Sequence, residues 1–268
     1  MINKILKSTS VVILIGILFT SCSPKAEYIS AFYKQDVTNF ESKLSAKGML
    51  YDKNSGILYK ISNNDKFLVA DLQINSEVTQ KKVLLFGLSM WIDETGKRKK
   101  NVGIKYPLGS KGFSKSSMQK MKEIRGNFTQ KKVMLAEASH EIAIIGKNKE
   151  DIEVFDKRYK DGVKANISFD AFGMMHYQLK VPYEKIKMTY ESLTLLNPSI
   201  GFETGKAEMQ QSGQGGGMRP GGGGGQRRKQ AGMNSGGTLG SNPEMQAMMK
   251  ASSFWLKNIK FASVEDNK

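Results

Sequence analysis

The sequence predicts an all-β fold, an antiparallel β-sandwich with one or two short helices and a long disordered Gly-rich loop. Short runs in which apolar and polar residues alternate recur along the chain, as in 163–169 and 177–181, and turn-forming residues separate them. The chain has 268 residues, enough for the core of one large sandwich. We therefore expect a single β-sandwich domain over 46–268.

The N-terminus predicts export and a lipid anchor. Residues 1–21 combine Lys4 and Lys7 with an apolar stretch from Val11 to Phe19, the pattern of a secretory signal peptide. The only Cys of the chain, Cys22, follows directly, and Leu18 to Cys22 resemble the lipobox of bacterial lipoproteins. We expect acylation of Cys22, a tether and N-terminal segment over 22–45, and attachment to the outer membrane facing the periplasm. The alternative is a free Cys after an ordinary signal peptide.

The stretch 83–107 predicts a β-hairpin at the centre of the fold. An apolar run ends at Trp91 and Ile92, a turn follows at 93–96, the basic run Lys97-Arg98-Lys99-Lys100 comes next, and 102–106 resume a strand. The first run is apolar at successive positions, so we expect one strand from Val83 to Ile92 that is covered on both faces.

The remaining elements are predicted from the same local patterns. The segment 67–75 alternates as a half-buried strand would, and 76–82 suit a single helical turn. We expect further strands within 49–62, on both sides of a turn at 52–56, and at 132–135, 141–145, 163–169, 174–181, 199–203 and 253–262, and helices at 114–125 and 243–250.

A Gly-rich tract at about 206–240 interrupts the second half of the chain. It contains five consecutive glycines at 221–225 and has too few apolar residues to offset the entropy of ordering. We expect a disordered insertion that joins two paired or neighbouring strands. The spacing of its glycines does not match a phosphate-binding loop.

The formal charge of +16 favours anionic partners. The candidate contacts are the basic hairpin run and the basic residues of the Gly-rich tract: Lys97, Arg98, Lys99, Lys100, Arg219, Arg227, Arg228 and Lys229. Two alternatives stay open, that dispersed lysines only keep the protein soluble, and that the hairpin lysines protect a strand edge. We expect a glycan or an anionic envelope polymer as partner, and no nucleic acid.

No pattern of catalytic residues is evident in the sequence. His140 and His176 are far apart, neither lies in an HExxH motif, and no GxSxG motif is present. We therefore expect a protein without enzymatic activity, metal or cofactor.

Four segments follow one another in the order FLVADLQI, a polar turn, VLLFGLSMWIDETGKRKKNVGIKYP and a closing FWLKNIKFA. This order resembles that of the CBM9-like, DOMON-type β-sandwich domains, and of lipoproteins of Bacteroidetes type. In those domains a strand that ends in Trp-x-Asp opens a hairpin. The resemblance implies a non-catalytic, carbohydrate- or ligand-binding sandwich, in which Trp91 and Trp255 are the available ligand-binding aromatics. The alternative is an envelope scaffold whose basic Gly-rich loop contacts an anionic polymer or a partner protein.

Overall fold

The computed structural model of this protein describes residues 28–32, 48–109, 128–148, 150–158, 162–207 and 243–262. Within them, the strands are β1 Tyr28–Ile29, β2 Ala31–Phe32, β3 Leu50–Asp52, β4 Ile57–Asn63, β5 Phe67–Ile74, β6 Leu88–Asp93, β7 Val102–Tyr106, β8 Glu141–Ile145, β9 Ile152–Asp156, β10 Lys164–Phe169, β11 Met175–Pro182, β12 Ser199–Thr204, β13 Ser253–Leu256 and β14 Ile259–Lys260. The helices are α1 Glu77–Phe86, α2 Phe128–Glu137, α3 Tyr190–Leu196 and α4 Pro243–Met249, with a 3-10 turn at Tyr183–Ile186. None of the helices in these ranges has the length and apolar character needed to span a bilayer.

The described strands form two six-stranded sheets and one short parallel pair. Sheet I has the order β10-β11-β5-β4-β2, with β3 also paired to β4, and sheet II has the order β13-β12-β6-β7-β8-β9. Almost all neighbours are antiparallel, and the exceptions are β1 with β14 and β2 with β4. The predicted class, an all-β antiparallel sandwich with short helices, is confirmed.

The core lies between the two sheets and is made by alternate residues of each strand. Leu72 and Tyr177 of sheet I and Met90 and Ile104 of sheet II are fully buried there. The Tyr177 hydroxyl donates a hydrogen bond of 3.1 Å to the backbone carbonyl of Tyr106 in the other sheet. The opposite faces of both sheets are therefore left for other contacts.

The predicted strand from Val83 to Ile92 is wrong in its first half. Residues Glu77–Phe86 form helix α1, whose N-cap Ser76 accepts from the backbone N–H of Thr79. Gly87 ends the helix at φ +85° and ψ 169°, a conformation that favours glycine, and β6 begins at Leu88. The hairpin itself is confirmed, since Ile92 pairs with Val102 across it.

Four other predictions are corrected. Residues 132–135 lie in helix α2 and not in a strand. Strand β5 is buried on both faces, since β4 and β11 flank it and its outward residues Val69, Asp71 and Gln73 keep at most 6% of their surface exposed. Residues 28–32, predicted within a tether, form strands that pair with β14 and β4. The predicted strand 253–262 is two strands, separated by Asn258 at φ +48°.

The other predicted strands and the helix after the Gly-rich tract are confirmed, with ends shifted by a few residues. β12 pairs directly with β13, so the strands on both sides of the tract are neighbours. Several predictions fall outside the described residues: the signal peptide, Cys22, the helix 114–125 and most of the Gly-rich tract, 208–240. The sequence patterns missed β9, α3 and the 3-10 turn.

Candidate functional site

Both tryptophans lie on the face of sheet II that points away from the core. In the register of the sheet, Trp255 of β13 is opposite Gly201 of β12, Gly201 is opposite Trp91 of β6, and Trp91 is opposite Gly103 of β7. Directly paired residues project to the same face. The four residues therefore form one line across the strands, which we call the tryptophan row.

The two indoles lie flat against the sheet because each covers a glycine of the next strand. A Cβ atom at Gly103 would come within 2.6 Å of Trp91 Cζ3, and one at Gly201 within 2.5 Å of Trp255 Cδ2. These distances are far below contact distance, so only a residue without a side chain fits beneath each ring. With two strand spacings between them, the backbones of Trp91 and Trp255 are about 10 Å apart.

Neither tryptophan belongs to the core between the sheets. Trp255 is half-buried, whereas Trp91 keeps 9% of its surface exposed. Burial of Trp91 comes from its contacts on the outer face and not from packing against sheet I. The accessible aromatic surface of the row is therefore that of Trp255, and Trp91 is almost fully covered.

Glu203 connects Trp91 to the basic hairpin. Its carboxylate accepts a hydrogen bond of 3.2 Å from the Trp91 indole N–H. Lys100 lies 2.6 Å from the same carboxylate, and its Nζ is 5.8 Å from the centroid of the Trp91 ring. A cation at this distance over an indole is attracted by the ring face. Lys100 therefore lies beside the tryptophan row, and its side chain stays 45% exposed.

Asp93 holds the hairpin loop from the inside. Its buried carboxylate accepts hydrogen bonds from the backbone N–H and the hydroxyl of Thr95, the backbone N–H of Lys99 and the side-chain amide of Asn101, at 2.8–3.1 Å. Burial favours the protonated form, but these hydrogen bonds outweigh it and hold the pKa of Asp93 below its usual 3.8. The predicted turn-forming role of Asp93 agrees with this geometry.

The loop held by Asp93 displays the predicted basic run. Lys97, Arg98, Lys99 and Lys100 are all exposed. Of these four, only Lys100 forms an ion pair with an acidic side chain of the described residues. The other four predicted anion contacts, Arg219, Arg227, Arg228 and Lys229, lie outside the described residues, as does Cys22.

The two histidines are not brought together with the row or with each other. His176 lies on the outer face of sheet I, opposite Ser168 and Gln73, and its Nε2 is 3.4 Å from Asp170. His140 is half-buried just before β8. In the described part of the chain, no group of three or more His, Cys, Asp or Glu side chains could hold a metal ion.

A cavity of about 280 Å³ opens beside the same hairpin, but on the core side of sheet II. Val102 and Ile144 form its apolar wall, and Glu94 and Lys147 at its rim are 3.5 Å apart. Its rim mixes acidic and basic side chains, and it shares no residue with the tryptophan row. Of the two features, only the row presents an aromatic surface.

The sequence patterns identified the two tryptophans but missed Gly103, Gly201 and Glu203. A glycine inside a strand often marks close approach of another group, and both glycines stand in strand patterns. That rule could have singled them out. It could not have shown which ring covers each one, since that depends on the register of strands distant in sequence.

No protein-family model and no curated protein matches the sequence. Among solved structures, the chain is similar to a carbohydrate binding module family 9 (CBM9) from Caldicellulosiruptor kristjanssonii in complex with glucose, at 8% identity and a TM-score of 0.35, covering 90% of this chain and 97% of that chain. The same module in complex with cellotriose gives 9% identity and a TM-score of 0.35, covering 90% and 96%. These neighbours belong to the family that the sequence resembles.

Proposed function

We propose that this protein is a lipid-anchored protein of the cell envelope whose β-sandwich binds a glycan at the tryptophan row, without catalysing a reaction. The observation that carries the proposal is the alignment of Trp91 and Trp255 on one sheet face, each lying flat over a glycine. A sugar ring has an apolar C–H face, and a flat indole covers that face while the sugar hydroxyls stay hydrated. Two indoles whose backbones are about 10 Å apart on one surface suit an extended ligand better than a compact one.

Rigidity supports the row as a binding surface. Both rings rest on strand backbone, and the indole N–H of Trp91 is fixed by Glu203. Little conformational entropy is lost when a ligand stacks on side chains that are already held in place. Polar groups beside the rings, such as the Glu203 carboxylate and the Lys100 ammonium, are available to hydrogen-bond sugar hydroxyls.

Trp255→Ala is the test of this proposal. Trp255 is half-buried and Trp91 nearly fully buried, so removing Trp255 separates binding from stability more cleanly. We expect roughly tenfold weaker binding, about 1.4 kcal/mol, for polysaccharides that retain the parent protein in affinity electrophoresis. Trp255→Phe keeps an aromatic face and should restore part of the affinity.

Phe172→Ala is the matched control, because Phe172 is a 94% exposed aromatic residue in the turn between β10 and β11. It should bind as the parent does. Equal glycan binding by Trp255→Ala and Phe172→Ala, with both proteins folded, would contradict the proposed site.

The proposed membrane anchor rests on the position of Cys22 after the apolar leader. Acyl chains on Cys22 would hold the protein at a membrane, at about 0.8 kcal/mol per buried methylene. Cys22→Ser expressed in a Gram-negative host should leave the membrane fraction for the soluble periplasm and lose incorporation of labelled palmitate. Retention of Cys22→Ser in membranes after a salt wash would argue against the anchor.

A further inference from the structure

We propose that the glycan is acidic, and that Lys100 and the exposed basic residues of the hairpin loop select a carboxylate-bearing polysaccharide at the tryptophan row. This inference rests on the proposed glycan-binding function and adds the chemical class of the ligand. Its basis is the position of the cationic loop relative to the indoles.

Lys100 adds a positive charge to the tryptophan row. Its Nζ lies over the Trp91 ring, 5.8 Å from the ring centroid, so an extended glycan that stacks on the more accessible Trp255 and continues along the row meets this ammonium. A carboxylate carried by that glycan lies within reach of a charge-assisted hydrogen bond, the stronger class of such bonds. A neutral sugar gains only an ordinary hydrogen bond there.

Glu203 is the acidic side chain that contacts both Trp91 and Lys100. Its carboxylate already accepts from the Trp91 indole N–H at 3.2 Å and from Lys100 at 2.8 Å. Its charge is therefore largely compensated by Lys100 before any ligand arrives. Three more cations, Lys97, Arg98 and Lys99, are exposed on the loop and form no ion pair with acidic side chains in the described ranges. The loop also carries the buried carboxylate of Asp93 and that of Glu94, which pairs with Lys147, so its net charge stays positive.

The hairpin loop that carries the cations is held by hydrogen bonds. Four hydrogen bonds to the buried Asp93 carboxylate fix residues 95, 99 and 101. The backbone that carries the cations is thus held in place between β6 and β7, the two strands of the row that the loop joins, and is not a freely moving segment. Fixed charges attract an anionic polymer with less loss of entropy than mobile ones.

The test compares a loop variant with a charge-matched control in the purified full-length protein. The loop variant replaces Lys97, Arg98 and Lys99 with Gln. The control removes the same charge elsewhere, by replacing the exposed Lys53, Lys66 and Lys260 with Gln. The probes are polygalacturonate, a neutral β-glucan, and vesicles containing phosphatidylglycerol.

We expect the parent to prefer polygalacturonate over the neutral glucan, and the loop variant to bind polygalacturonate about tenfold more weakly at low salt. The control should bind as the parent does. The preference should shrink as salt rises, because exposed charges are screened beyond about 8 Å at physiological ionic strength. Lys100→Met should lose the preference, and Lys100→Arg should keep it.

The possible results distinguish a wrong ligand class from a wrong glycan-binding function. Binding of both glycans with equal affinity and with dependence on Trp255 overturns the acidic class and leaves glycan binding in place. Binding to vesicles alone, lost in the loop variant, overturns it in favour of a lipid headgroup. An equal loss of affinity in the loop variant and in the charge-matched control would show that only total charge matters, and would also overturn it. Absence of binding to either glycan contradicts both proposals.

Discussion

At the scale of single residues, the same strand face serves two purposes. Trp91 and Asp93 are two positions apart on β6, so both project away from the core. Trp91 lies across the neighbouring strand, whereas Asp93 turns into the hairpin and collects the donors of the loop. The Trp-x-Asp order therefore couples an aromatic surface to the loop that borders it.

Asp93→Asn should destabilise the protein, because the Asp93 side chain has no exposed surface and accepts four hydrogen bonds. An amide in place of the carboxylate directs an N–H group at the backbone N–H of Lys99. We expect a loss of about 1–3 kcal/mol in the free energy of unfolding, the cost of an unsatisfied buried donor. Urea denaturation at neutral pH measures it, and Asp65→Asn, at an exposed carboxylate, should show no loss.

The same residue predicts a change of stability with pH. The folded-state pKa of Asp93 is below its usual 3.8, so the unfolded chain takes up the proton first as pH falls. The stability that Asp93 contributes is thus complete above about pH 5 and is lost as pH falls through 3.8 and then through the lower folded-state pKa. Unfolding curves from pH 6 to pH 2 should show a smaller acid-dependent loss for Asp93→Asn than for the parent. Parallel pH profiles for the two proteins would refute this assignment.

At the scale of elements, Gly87 decides where a continuous apolar run changes from helix to strand. Its φ of +85° suits glycine, and a Cβ there would lie 2.2 Å from the carbonyl oxygen of Pro107. The run 83–92 has no alternation or helical period that marks the change, so its residues alone predict one strand. The decisive contacts come from distant segments, and this is why the local pattern failed.

Gly87→Ala should therefore be strongly destabilising, by about 3 kcal/mol or more, since both the backbone conformation and the space oppose a side chain. Gly48→Ala is the matched control, because Gly48 also has a positive φ, +78°, but an added Cβ would meet nothing within 4 Å. Gly48→Ala should lower the free energy of unfolding only by the cost of the positive-φ backbone conformation. Thermal unfolding of the two variants measures the difference, and equal losses would show that the contact with Pro107 is unimportant.

The elements that the sequence predicted well are those defined by neighbours in the chain. The hairpin at 93–101 and the turn at 52–56 contain their own turn residues, so the strand ends that meet at these turns were placed correctly. Strand β9 was missed because it is an edge strand with Ile152 half-exposed, and its pattern is weak. For the candidate site, residue type alone was enough to propose Trp91 and Trp255. Glu203, which is 112 positions from its partner Trp91, required the sheet register.

At the scale of the whole molecule, the first and last described segments meet at one buried side chain. Asn63, at the end of β4, has no exposed surface and hydrogen-bonds the hydroxyl of Ser30 and both backbone groups of Ala262. Ser30 in turn donates its backbone N–H to the carbonyl of Lys260 at 3.0 Å. Strands β1 and β2 are thus fixed between β14 and sheet I. Part of the segment predicted as a tether over 22–45 is thus paired with the sandwich, at residues 28–32.

Asn63→Ala tests whether this junction closes the fold. The substitution removes three hydrogen bonds at this junction, which together contribute about 1–3 kcal/mol. The Ala262 N–H keeps the Ser30 hydroxyl as its acceptor, and the Ala262 carbonyl keeps the Tyr190 hydroxyl as its donor. We expect that loss in urea unfolding, and earlier cleavage near residue 30 in limited proteolysis, because β1 and β2 contribute only two residues each to their pairings. Asn54→Ala, in the exposed turn between β3 and β4, is the control and should change neither measurement. If Asn63→Ala lowers global stability while the N-terminal segment stays as resistant to protease as in the parent, then Asn63 supports sheet I alone and the terminal strands are held by their own backbone pairing.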